Sequence, residues 1–394
     1  MITRSPRQTL ALTLAAGLAA PAASATAPSF NPDVSLILSG SFSRFSRDPD
    51  SYALPGFPLA AETGPGEQGL SLAESELVLS ANIDPWFFGY FTGAVTPENE
   101  FEVEEAYIQT LALPAGVRVK AGRFLSGIGY LNELHPHAWD FVDAPLAYRA
   151  FLGGQLGDDG VQITWLAPGA GYVQLGGEWL RGESYPAGGA ARDGRGTATA
   201  FARVGGDAGA SHSYRFGLSH IRARADQRLS GDIEDAPDAF DGKARVTVAD
   251  FVWKWAPGGN PVQTNFKLQG EYLWRREDGE FTVDVNGVAP GMDDYRSNQT
   301  GWYLQTVYQF MPRWRAGLRH DRLRTRDLDA GANAAALDTG GHAPRRSAAM
   351  LDFSPSEFSR VRLQFNRDTS QPEADNQLML QYLTSLGAHG AHRF

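Results

Sequence analysis

From Val34 to Leu386 the chain is written in short alternating segments whose connections are alternately tight and long. Each segment runs about ten residues, the length a tilted strand needs to cross a bilayer. The tight connections are Asn82-Ile83-Asp84-Pro85, Leu113-Pro114-Ala115-Gly116, Ala167-Pro168-Gly169-Ala170, Gly205-Gly206-Asp207-Ala208, Pro257-Gly258-Gly259-Asn260, Met311-Pro312-Arg313 and Ser354-Pro355-Ser356. All are Pro, Gly, Asn or Asp clusters, which supply hairpin turns. Between them lie connections of about 7 to 33 residues, with one short exception at Pro97. Short turns on one rim and long loops on the other predict a closed antiparallel barrel set in a membrane.

The expected strands number sixteen: Val34–Arg47, Leu72–Asn82, Phe87–Val95, Phe101–Leu111, Val117–Phe124, Val161–Ala167, Tyr172–Arg181, Thr197–Val204, His212–Arg224, Arg245–Trp255, Thr264–Arg275, Thr300–Phe310, Trp314–Arg322, Ala348–Phe353, Arg360–Arg367 and Gln377–Thr384. An even count puts both chain ends on one side of the membrane. Alternation is clearest in Phe266 to Tyr272 and in Arg360 to Asn366, where every second residue is polar. A soluble sandwich alternates too, so tryptophan placement decides. Trp86, Trp165, Trp253, Trp255 and Trp314 lie near tight turns; Trp179, Trp274 and Trp302 lie at the opposite strand ends. Two indole belts are what the two headgroup regions select.

Residues 1–25 read as a cleaved export signal, leaving a barrel of 26–394. Arg4 and Arg7 precede the apolar run Leu10 to Ala20, and Ala23-Ser24-Ala25 fits a cleavage site. The chain has no cysteine, which excludes disulfides and thiolate chemistry. A formal charge of −10 argues against nucleic acid as a partner. Adjacent strand residues face opposite ways, so Ser211-His212 and Ser219-His220 do not form nucleophile–base pairs, and no hydrolase or phosphate-loop motif is present. A non-enzymatic protein is expected.

The longest connection, about 33 residues from Leu125 to Gly157, follows the fifth strand. It carries Tyr130, Glu133, His135, His137, Trp139, Asp140 and Asp143, together with apolar Phe141, Val142, Leu146, Phe151 and Leu152 that need a surface to cover. Ordered loops of this length usually have a function. Strand parity turns Arg118, Lys120, Lys267, Arg315, Arg319, Arg360 and Arg362 toward a water-filled lumen, because charge on the lipid face costs about 2–4 kcal/mol. Glu271 faces the same way. Basic residues outnumber acids there, which tilts the expectation toward mild anion preference. Asp226 to Asp241 and Glu277 to Asp294 read as acidic outer loops, where Ca²⁺ or Mg²⁺ would bridge to lipopolysaccharide. No other cofactor is expected. His135 with His137, and separately His389 with His392, are candidate zinc ligands, but two histidines do not complete a site.

By its leader, sixteen strands, long third outer loop and final Phe394, the chain resembles bacterial general and phosphate-selective porins. The ending Leu386 to Phe394 departs from their usual final strand, whose alternate positions are bulky and apolar. The resemblance implies location in the outer membrane of a Gram-negative cell and insertion by the barrel-assembly machinery through Phe394. It also implies a third loop folded into the lumen and passive diffusion of small hydrophilic solutes. A homotrimer is part of that resemblance, although the second outer loop, which latches neighbouring subunits in general porins, is very short here. The alternative is an uptake receptor without a plug domain that binds a ligand or a metal.

Overall fold

The computed structural model describes residues 32–60, 63–97, 100–169, 171–189, 196–232 and 236–387. The leader, Ala170, Glu234, Asp235, His389, His392 and Phe394 lie outside those residues. The strands are β1 Asp33–Phe45, β2 Gly69–Ser71, β3 Ser75–Asn82, β4 Phe87–Val95, β5 Phe101–Thr110, β6 Val117–Leu125, β7 Gly157–Leu166, β8 Tyr172–Leu180 and β9 Thr197–Ala208. They continue with β10 His212–Asp232, β11 Ala236–Trp255, β12 Asn265–Val283, β13 Gly291–Met311, β14 Trp314–Asp329, β15 Arg345–Ser356, β16 Ser359–Asp368 and β17 Asp375–Gly387.

Each strand pairs antiparallel with its neighbour in sequence. The ladder closes where β1 meets β17, from Ser35 opposite Gly387 to Phe45 opposite Gln377. β2 and β3 pair with successive stretches of β1 and make one stave interrupted at Leu72 to Glu74. The result is a closed sixteen-stranded barrel, with every strand expected from the sequence present. Closure leaves no unpaired edge, the condition for crossing a bilayer with strands.

The two faces separate by chemistry. On β16 and β17, Leu363, Phe365, Leu378, Leu380 and Tyr382 are exposed, while Arg362, Gln364, Asn366 and Gln377 are buried. An apolar outside and a polar inside invert the pattern of a soluble barrel and match a membrane one. Trp86 and Trp179, from opposite strand ends, are 61% and 62% exposed, as interfacial belts require. The tight turns depend on left-handed backbone. Ala115 and Gly116 have φ of 58° and 80°, and a Cβ on Gly116 would strike the Leu166 carbonyl.

Two expectations need correction. Asp226 to Asp241 and Glu277 to Asp294 are not solvated loops. Apart from the tips, they are the outer ends of β10 to β13, which run 19 to 21 residues. Their charges imitate a loop, but one face of these extensions packs a buried apolar cluster that includes Ala225, Phe240, Phe281 and Tyr295. Glu277 is buried and pairs with Arg228 at 2.6 Å. Gly205 to Ala208 likewise belongs to β9, so that turn falls at 209–211.

Candidate functional site

Segment 126–156, between β6 and β7, carries a 3₁₀ turn at Pro136–Ala138 and the short helix α1, Leu146–Leu152. All seven α1 residues are buried, and Gly153, with φ of 63°, ends the helix. The helix belongs to an apolar cluster with Ile128, Leu131, Trp139 and Leu156 of the same segment. Ile221, Val246, Leu273, Tyr303 and Leu323 of the strands complete it, together with Leu54 and Phe57 from connection 46–68.

Polar contacts from the segment reach the inner face of ten strands. Glu271 of β12 accepts from the Tyr130 and Leu131 amides at 3.2 and 2.9 Å and from the Tyr148 hydroxyl at 2.9 Å. Gly129 is left-handed, and a Cβ there would strike the same carboxylate. Glu178 of β8 accepts from the Gly127 amide at 2.8 Å. Arg203 of β9 pairs with Glu133 at 2.9 Å, and Arg215 of β10 lies 4.6 Å from the Tyr130 ring. Gln305 of β13 donates to Asp140, which also pairs with Lys267 of β12 and with Arg315 of β14 at 3.4 Å. Asp143 pairs with Arg319 of β14 and Arg346 of β15, both at 2.6 Å, and accepts from Gln364 and Asn366 of β16. Arg360 donates to the His137 carbonyl, and Arg362 to the Trp139 carbonyl at 2.8 Å. Burial works against the charge of Asp140 and Asp143, but the facing cations outweigh it and hold both well below the usual carboxylate range.

These contacts correct the expectation that the lumen arginines stand free in water. Arg319, Arg360 and Arg362 are buried and spend their donors on segment 126–156. Arg118 lies on β6 near the tight-turn rim and is exposed, and Lys120 sits 4.5 Å from the Tyr107 ring. His135 and His137 stack, their centroids 5.7 Å apart, against Glu76 of β3 and Glu104 and Glu105 of β5. Glu76 alternates with the exposed Leu77 on β3, so strand parity places it inward. Glu104 and Glu105 were missed because strict alternation cannot place two consecutive residues on one face. Arg203, Arg346, Asp321 and Asp352 were missed as well; parity gives a residue's face but not its partner.

Cavities lie on either side of the segment. One, about 1180 Å³, is lined by connection 46–68 and by Pro136 and His137. Its carboxylates are Asp50, Glu67, Glu74, Asp143 and Asp238, with no lysine or arginine among the described lining residues. The other, about 590 Å³, borders the tight turns. Its lining includes Lys254, Lys267, Arg313, Arg315 and Arg360 against Asp140, Asp207 and Glu357. Residues 136–140 contribute to both linings.

No family model matches the chain. It is 33% identical over 399 aligned positions to an uncharacterised protein of Aquifex aeolicus (strain VF5), covering 93% of this chain and 80% of that one. Among solved structures, a loop-deleted OmpT of Vibrio cholerae superimposes with a TM-score of 0.55 at 9% identity, over 90% of this chain and 99% of that one. The channel DcaP of Acinetobacter baumannii gives 0.54 at 10%, over 90% and 97%. An anion-selective porin from Comamonas acidovorans gives 0.52 at 12%, over 90% and 99%.

Proposed function

This chain belongs to one family with the uncharacterised Aquifex aeolicus protein and has the fold of outer-membrane porins, and from that premise we propose that it is a non-enzymatic outer-membrane channel for small hydrophilic solutes. The observation that carries this reading is the pair of cavities flanking segment 126–156 within a closed barrel, both lined in part by charged groups. On this reading the segment folds across the lumen and sets the narrowest passage, beside residues 136–140. Solutes cross by diffusion, and the field of the lining sorts them.

That field changes along the path. The cavity behind the outer connections is acidic; the one beside the tight turns has five lysines and arginines against three carboxylates. An anion crossing the narrow part meets Lys267 and Arg315, which share Asp140. Mild anion preference follows from this excess. The chain ends would lie in the periplasm after removal of residues 1–25. A planar bilayer recording under a salt gradient tests the proposal: steady conductance with a reversal potential on the anion side supports it.

A second reading is favoured by one observation. Connections 46–68 and 126–156 share a single buried apolar cluster, and Tyr185 of the connection after β8 joins them through a hydrogen bond to the Pro58 carbonyl at 3.1 Å. Three connections packed together suit a closed uptake receptor, which would give no steady current in the same recording.

A further inference from the structure

We propose that His135, Glu76 and Glu104 bind one divalent transition-metal ion, with Zn²⁺ the ion best matched, clamping segment 126–156 to the wall between β3 and β5. The site is independent of whether the barrel conducts.

Geometry is the first support. His135 Nδ1 lies 3.1 Å from Glu104 Oε2 and 3.5 Å from Glu76 Oε2. One ligand atom from each of the three residues falls within 4.8 Å of the others. Ligands about 2.1 Å from a tetrahedral zinc stand roughly 3.4 Å apart, so these spacings need little adjustment. One imidazole and two carboxylates leave a fourth position for water or another carboxylate.

The surrounding contacts are those that orient metal ligands. The far nitrogen of His135, Nε2, is 2.9 Å from Glu105 Oε2, a contact that holds a proton on Nε2 and turns Nδ1 toward Glu104 and Glu76. The far oxygen of Glu76, Oε1, is 2.5 Å from His137 Nδ1. Local backbone explains how two consecutive glutamates serve one histidine. β5 has a bulge opposite Thr92 and Gly93: Thr92 pairs with Glu105 and Gly93 with Val103, so Glu104 is the extra residue. Bulges re-aim side chains in this way and recur beside functional sites.

The charge balance around the three ligands bears on the same point. Glu74, just before β3, is hydrogen-bonded to Glu104 and lies close to Glu76 and His135. Its Oε1 is shut off from solvent and has no hydrogen-bond partner. Carboxylates gathered away from water need positive charge close by. One divalent ion supplies it, displacing the proton of His135 Nδ1 to solvent.

The test uses the full mature chain, folded in detergent, stripped with a chelator and titrated with Zn²⁺ at neutral pH. Wild type is expected to take up one tight equivalent. His135→Gln and Glu104→Gln should lose it, and Glu105→Gln should bind about 10–100-fold more weakly. The double variant His389→Ala/His392→Ala should bind like wild type. No tight uptake by wild type, undiminished uptake by His135→Gln, or loss in the double variant overturns the proposal. Heat-modifiable gel mobility reports whether each variant is folded. If the variants do not fold, zinc-edge X-ray absorption of wild type decides alone. One imidazole nitrogen in an otherwise oxygen shell supports the site; two imidazoles or none overturns it.

Discussion

Arg319 on β14 and Asp143, 176 residues earlier, meet twice: Nη2 donates to the Asp143 carboxylate at 2.6 Å and Nη1 to its backbone carbonyl at 2.7 Å. Arg346 adds a second ion pair to the same carboxylate. Side chain and backbone are thus fixed together, and segment 126–156 is held to β14 and β15 at one residue.

Asp143→Asn tests that anchor. It keeps the shape and removes the charge, leaving Asp321 alone to balance the buried Arg319 and Arg346. Breaking a buried pair from one side costs about 3–5 kcal/mol. Urea unfolding from lipid vesicles should show a loss of that order, while Asp278→Asn, at an exposed pair with Arg296, should cost under about 1 kcal/mol.

The same carboxylate gives a pH signature. Its folded-state pKa lies far below the unfolded value of about 3.9. The stabilisation it provides is therefore complete above the unfolded value and is lost as pH falls below it toward the folded value. The stability gap between wild type and Asp143→Asn should stay constant from pH 7 to about pH 5 and shrink below about pH 4. A gap that grows on acidification would show that Asp143 is not held ionised in the folded barrel.

Protease accessibility is a third check. Arg228 falls within the stretch Asp226 to Asp241 and Arg276 just before Glu277 to Asp294, the two stretches that read as outer loops from sequence. Arg228 is 2% exposed and paired with Glu277, and Arg276 lies within β12, so trypsin should spare both on intact cells. The exposed tip between β12 and β13, with Val288 fully accessible, should instead be cut by proteinase K. Cutting there only after the periplasm is opened would reverse the orientation.

The ladder was legible because each strand carries its own signal: alternation inside and turn residues at one end. Phe266 to Tyr272 and Arg360 to Asn366 declared their faces without any knowledge of neighbours. What stayed hidden depends on pairing. That Arg362 would bond the Trp139 carbonyl, or Glu271 two amides of the segment, requires knowing where 126–156 runs. The β5 bulge breaks alternation at one residue and so hid Glu104 and Glu105. The extended ends of β10 to β13 were hidden because charges such as Glu277 read as solvent-facing until Arg228 and Arg275 are seen beside them.

Selectivity divides the lumen cations into two groups. Lys267 and Arg315 line the smaller cavity, whereas Arg319 and Arg362 are buried against the segment. Replacing Lys267 and Arg315 with Gln should move the reversal potential toward cations and leave the barrel folded. Replacing Arg319 and Arg362 should chiefly destabilise it. Equal reversal potentials for wild type and the Lys267→Gln/Arg315→Gln variant would remove these two residues from the conduction path.

The decisive manipulation is to replace Glu133 to Tyr148 with a short Gly-Ser bridge. This deletes the carboxylates of the segment that pair with Arg203, Lys267, Arg319 and Arg346 together. Removing one partner alone leaves a buried charge stranded. Removing the whole stretch opens the space to water, which solvates the released arginines. The strand ladder does not depend on the segment for its hydrogen bonds, so heat-modifiable mobility should persist. Single-channel conductance should rise, and larger sugars should pass. A folded, trimmed barrel with unchanged current would mean that the passage is closed elsewhere, by Leu54 and Phe57 of connection 46–68 or by Tyr185, whose hydroxyl bonds both Pro58 and Arg275. The receptor reading would then account for the interior better than the channel reading does.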